Sequence, residues 1–277
     1  MAIGDLRGRS RNHHNRRERR GDRHYHVRVW WWGRACSTIA AASVLILAAC
    51  GSGGEDGAVE SVGVSSLDVA GGRLNALPSG PLFMRINHFT QAAAAQIGSK
   101  KHQPGFVYQI AGSQMMIIGA DSATVSAGEG YFVPGIEHTH TNSGSTSNDW
   151  LFVALWPTDI RTQPNVSTAQ VVFESEDIAP STLQAGAYAE TLQVVTIQPG
   201  GHTNVRTRSG LQVLFVLDGS LRARTDNATT VLGSNSGTYL APNTRYQEIA
   251  ADQKPVKLLD FIVTPVGQPF EQVAPAF

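Results

Sequence analysis

Two pairs of side chains in this 277-residue sequence are spaced for chemistry. In EGYFVPGIEHTHTN, His138, His140 and Asn142 fall at every second position, so on an extended strand all three project to one face. Two neutral imidazoles on one face are the start of a transition-metal site that needs further donors from elsewhere in the fold. Their bland use is structural, as hydrogen-bonded pocket residues or as a rim pair with one ring in water. Arg206 and Arg208 repeat the same spacing in NVRTRSG. Their guanidinium groups are all donor and no acceptor, which suits a carboxylate or phosphate and repels a divalent cation. The bland use of this pair is a solvated salt-bridge face with acids such as Asp218 or Glu248. Other chemistries lack their residues, since there is no G-x-S-x-G, no glycine-rich phosphate loop and no paired cysteine cluster.

Cys50 is the third feature with a chemical reading, after the two pairs. Residues 1–36 carry ten arginines against Asp5, Glu18 and Asp22, which leaves 12 basic and 19 acidic residues downstream. The basic arm runs into the apolar segment Cys36–Ala49, CSTIAAASVLILAA, shorter than the roughly 20 apolar residues of a spanning helix and suited to a signal peptide. It ends in LAACG, which resembles the bacterial lipobox, whose cysteine becomes the lipid-modified first residue of the mature protein. The alternative is an uncleaved anchor with an incidental cysteine. Both readings tether the rest of the chain to a membrane on the non-cytoplasmic side, in the cell envelope, and neither calls for a nucleic-acid partner. The other cysteine, Cys36, lies in the discarded peptide, so no disulfide is available and the fold depends on its apolar core.

Elements must then position the two pairs. Residues 50–80 are rich in Gly, Ser and acids and read as a flexible tether. From Pro81 onward, short β-branched and aromatic runs alternate with Gly, Pro, Asn and Asp at intervals of about ten residues, the pattern of an all-β sandwich or barrel. Candidate strands are Leu82–Phe89, Gly105–Ile110, Gln114–Ile118, Gly130–Val133, Trp150–Trp156 and Ala169–Glu174, then Thr191–Gln198, Gln212–Leu217, Ser220–Thr225, Gly237–Leu240 and Val256–Val263. The two sets repeat one another: GFVYQIAGS at 105–113 aligns with QVLFVLDGS at 212–220, and each is followed by a Gly-rich turn, a strand and a proline, Pro134 or Pro242. Tyr108 and Phe215 fall at equivalent positions, as core aromatics or as rings that stack on a ligand.

These residues resemble the cupin superfamily, and specifically a bicupin. PGGHTNVRTRSGLQVLFVLDGSL at 199–221 is similar to the first cupin motif, and Gly128, Pro134, His138 and Asn142 to the second. The resemblance implies two cupin barrels (double-stranded β-helix, or jelly roll) after an N-terminal signal peptide (1–49) and tether (50–80). The barrels span 81–165 and 185–266, joined by 166–184 and followed by a tail at 267–277. It also implies a metal held by three imidazoles and a carboxylate. In the second barrel Arg206, Arg208, Gln212 and Gln247 stand at those ligand positions, so no metal is expected there. In the first barrel the resemblance points to His102, His138 and His140, with Gln103 or water beside them, as a site for Fe, Mn, Ni or Zn. Glu137, on the other face of a regular strand, is a weak ligand candidate.

Two functions follow from the resemblance and stay open. One is a small-molecule-binding protein whose first barrel holds the working pocket and whose second barrel, lacking metal ligands, is structural, an anionic ligand being among the options, with Gln103, Tyr108, Asn142, Arg206, Arg208, Gln212 and Gln247 as the contacting residues. The other is a metal-dependent oxygenase or isomerase working through the first barrel. A scaffold for other envelope proteins and a homodimer are both compatible with the sequence.

Overall fold

The computed structural model describes residues 58–98, 102–163 and 169–277. The expected signal peptide, with Cys36 and Cys50, lies outside the described residues. In the first half of the chain run β1 (Val62–Leu74), β2 (Leu82–Gln91), β3 (Gln96–Gly98), β4 (Gly105–Ala111), β5 (Ser113–Ile118), β6 (Asp121–Ser126), β7 (Gly130–Val133), β8 (Thr139–Thr141), β9 (Asn148–Pro157) and β10 (Ala169–Glu174). The second half contains β11 (Tyr188–His202), β12 (Arg206–Thr207), β13 (Leu211–Asp218), β14 (Ser220–Thr225), β15 (Thr229–Gly233), β16 (Gly237–Leu240), β17 (Tyr246–Ala250), β18 (Val256–Pro265) and β19 (Gln272–Val273). Two short 3-10 turns are the only helical elements among the described residues.

The strands pair in the same order twice. One sheet runs β10-β2-β9-β4-β7, and its counterpart runs β1-β11-β18-β13-β16. Across from the first, β5 lies between β6 and β8; across from the second, β14 lies between β15 and β17. The equivalent glycines of the sequence repeat, Gly112 and Gly219, both take left-handed backbone angles, with φ of 71° and 81°. A Cβ at Gly219 would lie 2.5 Å from the Pro255 carbonyl, so both the angle and the space exclude a side chain there. The fold is all-β, two barrels built from these paired sheets.

The two five-stranded sheets pack back to back. From one sheet Met84, Ile86, Phe106, Tyr108 and Val153, and from the other Leu192, Val213, Phe215 and Phe261, form a single buried cluster, with the Phe106 and Phe261 rings 5.7 Å apart. The alternate residues of the same strands face inward: Phe89, Val107, Trp150 and Phe152 fill the first barrel, and Val195, Leu214, Val216 and Leu258 the second. Each fully buried aliphatic or aromatic side chain contributes about 1.5–3 kcal/mol, so these clusters hold the two barrels and their junction together. Tyr108 belongs to the cluster between the sheets and faces away from the barrel interior, which corrects its reading as a ligand contact.

The expected tether is also corrected. Over Val62–Leu74 the chain is strand β1, paired antiparallel with β11 from Val62↔His202 to Leu74↔Tyr188. The chain's first strand thus completes the second barrel, while β10, inside the expected connection 166–184, pairs with β2 and completes the first. An edge strand needs backbone partners rather than an apolar run, and most side chains of β1 are exposed, so its composition looked like linker. Gly72 fixes its seat: a Cβ there would lie 2.3 Å from the Phe132 ring. At the other end, β19 in the expected free tail pairs with β12.

Candidate functional site

Inside the first barrel three imidazoles converge. His140 is the middle residue of β8, His138 precedes that strand by one residue, and His102 lies in the approach to β4. His138 and His140 share a face, as their spacing requires. The His138 Nε2 lies 3.0 Å from His140 Nε2 and 3.1 Å from His102 Nε2. Aromatic rings back them: His140 stacks on Trp150 at 4.5 Å and His102 meets Phe152 edge-on at 4.7 Å. His138 and His140 are buried and His102 is half-buried.

The other ring nitrogens decide the tautomers. His102 Nδ1 is 2.6 Å from the Gln103 carbonyl and His138 Nδ1 is 2.8 Å from the Ile136 carbonyl, so both donate. His140 Nδ1 lies 2.8 Å from Gln114 Oε1. That oxygen's orientation follows from a chain of buried amides: the Gln109 amide donates to the Ala111 and Asp149 carbonyls, which leaves its oxygen to accept from Gln114. Gln114 must then turn its own oxygen to His140. With every Nδ1 donating, the Nε2 of His138 faces the unprotonated Nε2 of His140 on one side and of His102 on the other. Burial drives the charged forms out: it pushes His140 down to about 3, helped by the neighbouring His138 and His102 rings. Burial also lowers His102 and His138, against the pull of their backbone acceptors.

Lone pairs 3 Å apart repel unless a proton or a cation lies between them. Among the described residues no group of three or more His, Cys, Asp or Glu is arranged to hold a metal ion, the three histidines included. As a donor set they nevertheless fit a borderline transition metal: ligands at right angles on metal–nitrogen bonds of about 2.1 Å would lie about 3.0 Å apart.

The remaining first-barrel candidates do other work. Asn142 is fully engaged in its own loop, donating to the Gln91, Ala92 and Thr146 carbonyls and accepting from the Gly144 amide, so it is corrected from ligand contact to loop clamp. Gln103 serves His102 through its carbonyl. It also lines a 420 Å³ cavity with Leu77, Pro104 and Leu155 that does not include the histidines. Glu137 is exposed.

In the second barrel Arg206 and Arg208 do point inward, but their forks are occupied. Arg206 pairs with Glu248 and Glu271, while Arg208 pairs with Asp260 at 3.1 Å and with Glu271 at 3.2 Å and donates to the Tyr246 hydroxyl. Gln212 donates to Tyr246 and to Asp260. Glu248 and Asp260 are wholly buried, which pushes both carboxyls up while the two arginines draw them back down. The expectation of Gln247 in the pocket is corrected by register. Glu248 stands opposite Ala223 on β14 as His140 stands opposite Met116 on β5, so Tyr246 and Glu248 hold the places of His138 and His140. Gln247 points to the other face and donates to the Thr203 carbonyl. Asp218 takes no part, its carboxylate accepting from the Gly219 amide. Sequence reasoning missed Gln109, Gln114, Glu271 and Asp260; the last was signalled by a lone acid in the apolar run VKLLDFIVTP.

The sequence matches no protein-family model and no curated protein. Solved structures do resemble the fold. A single-site mutant of oxalate decarboxylase from Bacillus subtilis aligns over 78% of this chain and 80% of its own, with a TM-score of 0.50 and 10% identity. Salicylate 1,2-dioxygenase from Pseudaminobacter salicylatoxidans aligns over 65% and 70%, with a TM-score of 0.45 and 14% identity. A cupin 2 conserved barrel domain protein from Leptotrichia buccalis aligns over 74% and 98%, with a TM-score of 0.40 and 12% identity.

Proposed function

From the cupin fold of this chain, we propose that the first barrel is a metal-dependent site acting on a small organic molecule, in the manner of an oxygenase or isomerase, and that the second barrel supports it. The observation that carries this reading is the meeting of three unprotonated Nε2 atoms at 3.0 and 3.1 Å. His102, His138 and His140 would hold Fe, Mn, Ni or Zn, which when bound supplies Lewis acidity and open coordination positions. Gln114 and the Gln103 and Ile136 carbonyls fix the rings, and Trp150 and Phe152 keep bulk water from the buried side. The two halves form a bicupin, supported by their identical strand order. The whole is anchored outside the cytoplasm by lipid on Cys50, a reading supported by LAACG after a basic and an apolar stretch.

Elemental analysis tests the metal site. The purified protein carries near-stoichiometric Fe, Mn, Ni or Zn that is lost in a folded His138→Ala variant; a protein that stays metal-free after exposure to all four ions overturns the reading. Cys50→Ser tests the anchor by moving the protein out of the membrane fraction, and an unchanged distribution removes that part.

A further inference from the structure

The C-terminal residues close the mouth of the second barrel. After β18 the chain turns at Gly267, with φ of 88°, and crosses the arginine pair as a strap. The Arg208 guanidinium lies 4.4 Å from the Phe270 ring centroid, Ser209 donates to the Pro269 carbonyl, β19 pairs with β12, and the Ala274 amide donates to the Val205 carbonyl at 2.8 Å. Yet the strap buries little: Phe270 is 38% exposed and Val273 59%. A segment held by a handful of backbone hydrogen bonds and little apolar burial belongs to the low-stability end of a fold.

What the strap inserts is a carboxylate. The Oε2 of Glu271 lies 3.0 Å from Arg206 and 3.2 Å from Arg208, bridging the two guanidinium groups. Glu248 and Asp260 already neutralise one arginine each from below, so Glu271 is a surplus third acid. It is also an incomplete partner, because the buried Arg206 Nε and Arg208 Nη1 have no hydrogen-bond acceptor. A small carboxylate free to rotate could bring both oxygens to donors that the tethered side chain meets with one.

We infer that Arg206 and Arg208 form a binding site for a small organic carboxylate, and that Glu271 on the C-terminal strap is the built-in competitor this ligand displaces. The site is independent of the first-barrel histidines. Glu248 and Asp260 already compensate one arginine each, so selectivity rests on the guanidinium forks, which grip a planar carboxylate through parallel N–H donors, and not on net charge, which malonate and sulfate share.

Titration calorimetry with malonate tests the idea, with sulfate as the control anion. Glu271→Ala binds malonate about tenfold or more tightly than the wild type, because the competitor that closes the site is gone. Adding Arg208→Lys to that variant abolishes the gain, since a point charge cannot replace the fork. In the wild type, saturating malonate removes the hydrogen-exchange protection of the Ala274 amide, a readout that needs no variant to fold. Equal affinity for wild type and Glu271→Ala, or an Ala274 amide that stays protected at saturating malonate, overturns the inference.

Discussion

Gln114 Oε1 accepts the Nδ1 proton of His140 at 2.8 Å, and through that bond a chain of buried amides sets which nitrogen of the ring faces the other two histidines. Gln114→Leu keeps the bulk and breaks the chain. It leaves the His140 Nδ1 and the Gln109 oxygen unsatisfied in the barrel, at about 1–3 kcal/mol of stability. Metal affinity falls about 10–100-fold, the usual effect of losing a partner behind a metal-binding histidine. Competition against a chelator measures it, and Gln114→Glu, which restores an acceptor, recovers most of the loss.

The same burial gives the metal-free protein a pH signature. The His140 pKa is lowered in the folded state to about 3, whereas the unfolded chain titrates near 6.5. Below pH 6.5 the unfolded state therefore binds the proton and the folded state does not, so stability is lost as pH falls from about 6.5 toward 3. Urea midpoints across that range decline more steeply in the wild type than in His140→Gln.

Glu190 makes the opposite slope. Its carboxyl is buried in β11 with neither oxygen partnered among the described residues, and burial raises its pKa to about 8. Between about 4.5 and 8 the unfolded state releases the proton while the folded state retains it, so stability falls as pH rises through that window, by at most about 5 kcal/mol. Glu190→Gln removes this slope and melts higher than the wild type at pH 8.5.

The arginine cluster of the second barrel holds charges that are costly to separate. Asp260→Asn leaves Arg208 in the interior with one carboxylate fewer and lowers stability by about 3–5 kcal/mol. Replacing both partners, Arg208→Met with Asp260→Leu, restores most of it. Chemical denaturation of the three proteins distinguishes a paired charge from a packing role.

Gly72→Ala tests whether β1 belongs to the second barrel. The added methyl meets the Phe132 ring, and the strand must shift or detach at a cost of about 1–3 kcal/mol. Faster hydrogen exchange at β11, rather than at β2, reports the loss of its neighbour.

Much of the fold was legible because apolar alternation carries it. Gly130–Val133, Ala169–Glu174, Ser220–Thr225 and Gly237–Leu240 coincide with observed strands, and the repeated Gly112 and Gly219 mark equivalent turns. Polar strands were not legible: β1, β6 (DSATVS) and β15 (TTVLG) are held by backbone pairing at edges and carry few buried side chains. At the site, the i, i+2 histidines and arginines were readable from strand periodicity alone. Their partners were not, since Gln114, Asp260 and Glu271 reach them only through the closure of the barrels, and a one-residue shift of register moved the inward position from Gln247 to Glu248.

The proposed metal site is three imidazoles closing on one cation, and X-ray absorption at the metal edge of the loaded protein reads that number directly. The wild type gives three imidazole ligands at about 2.0–2.1 Å, and His140→Ala gives two or no bound metal. A spectrum with one imidazole or none, unchanged by His140→Ala, would place the metal elsewhere and contradict the assignment.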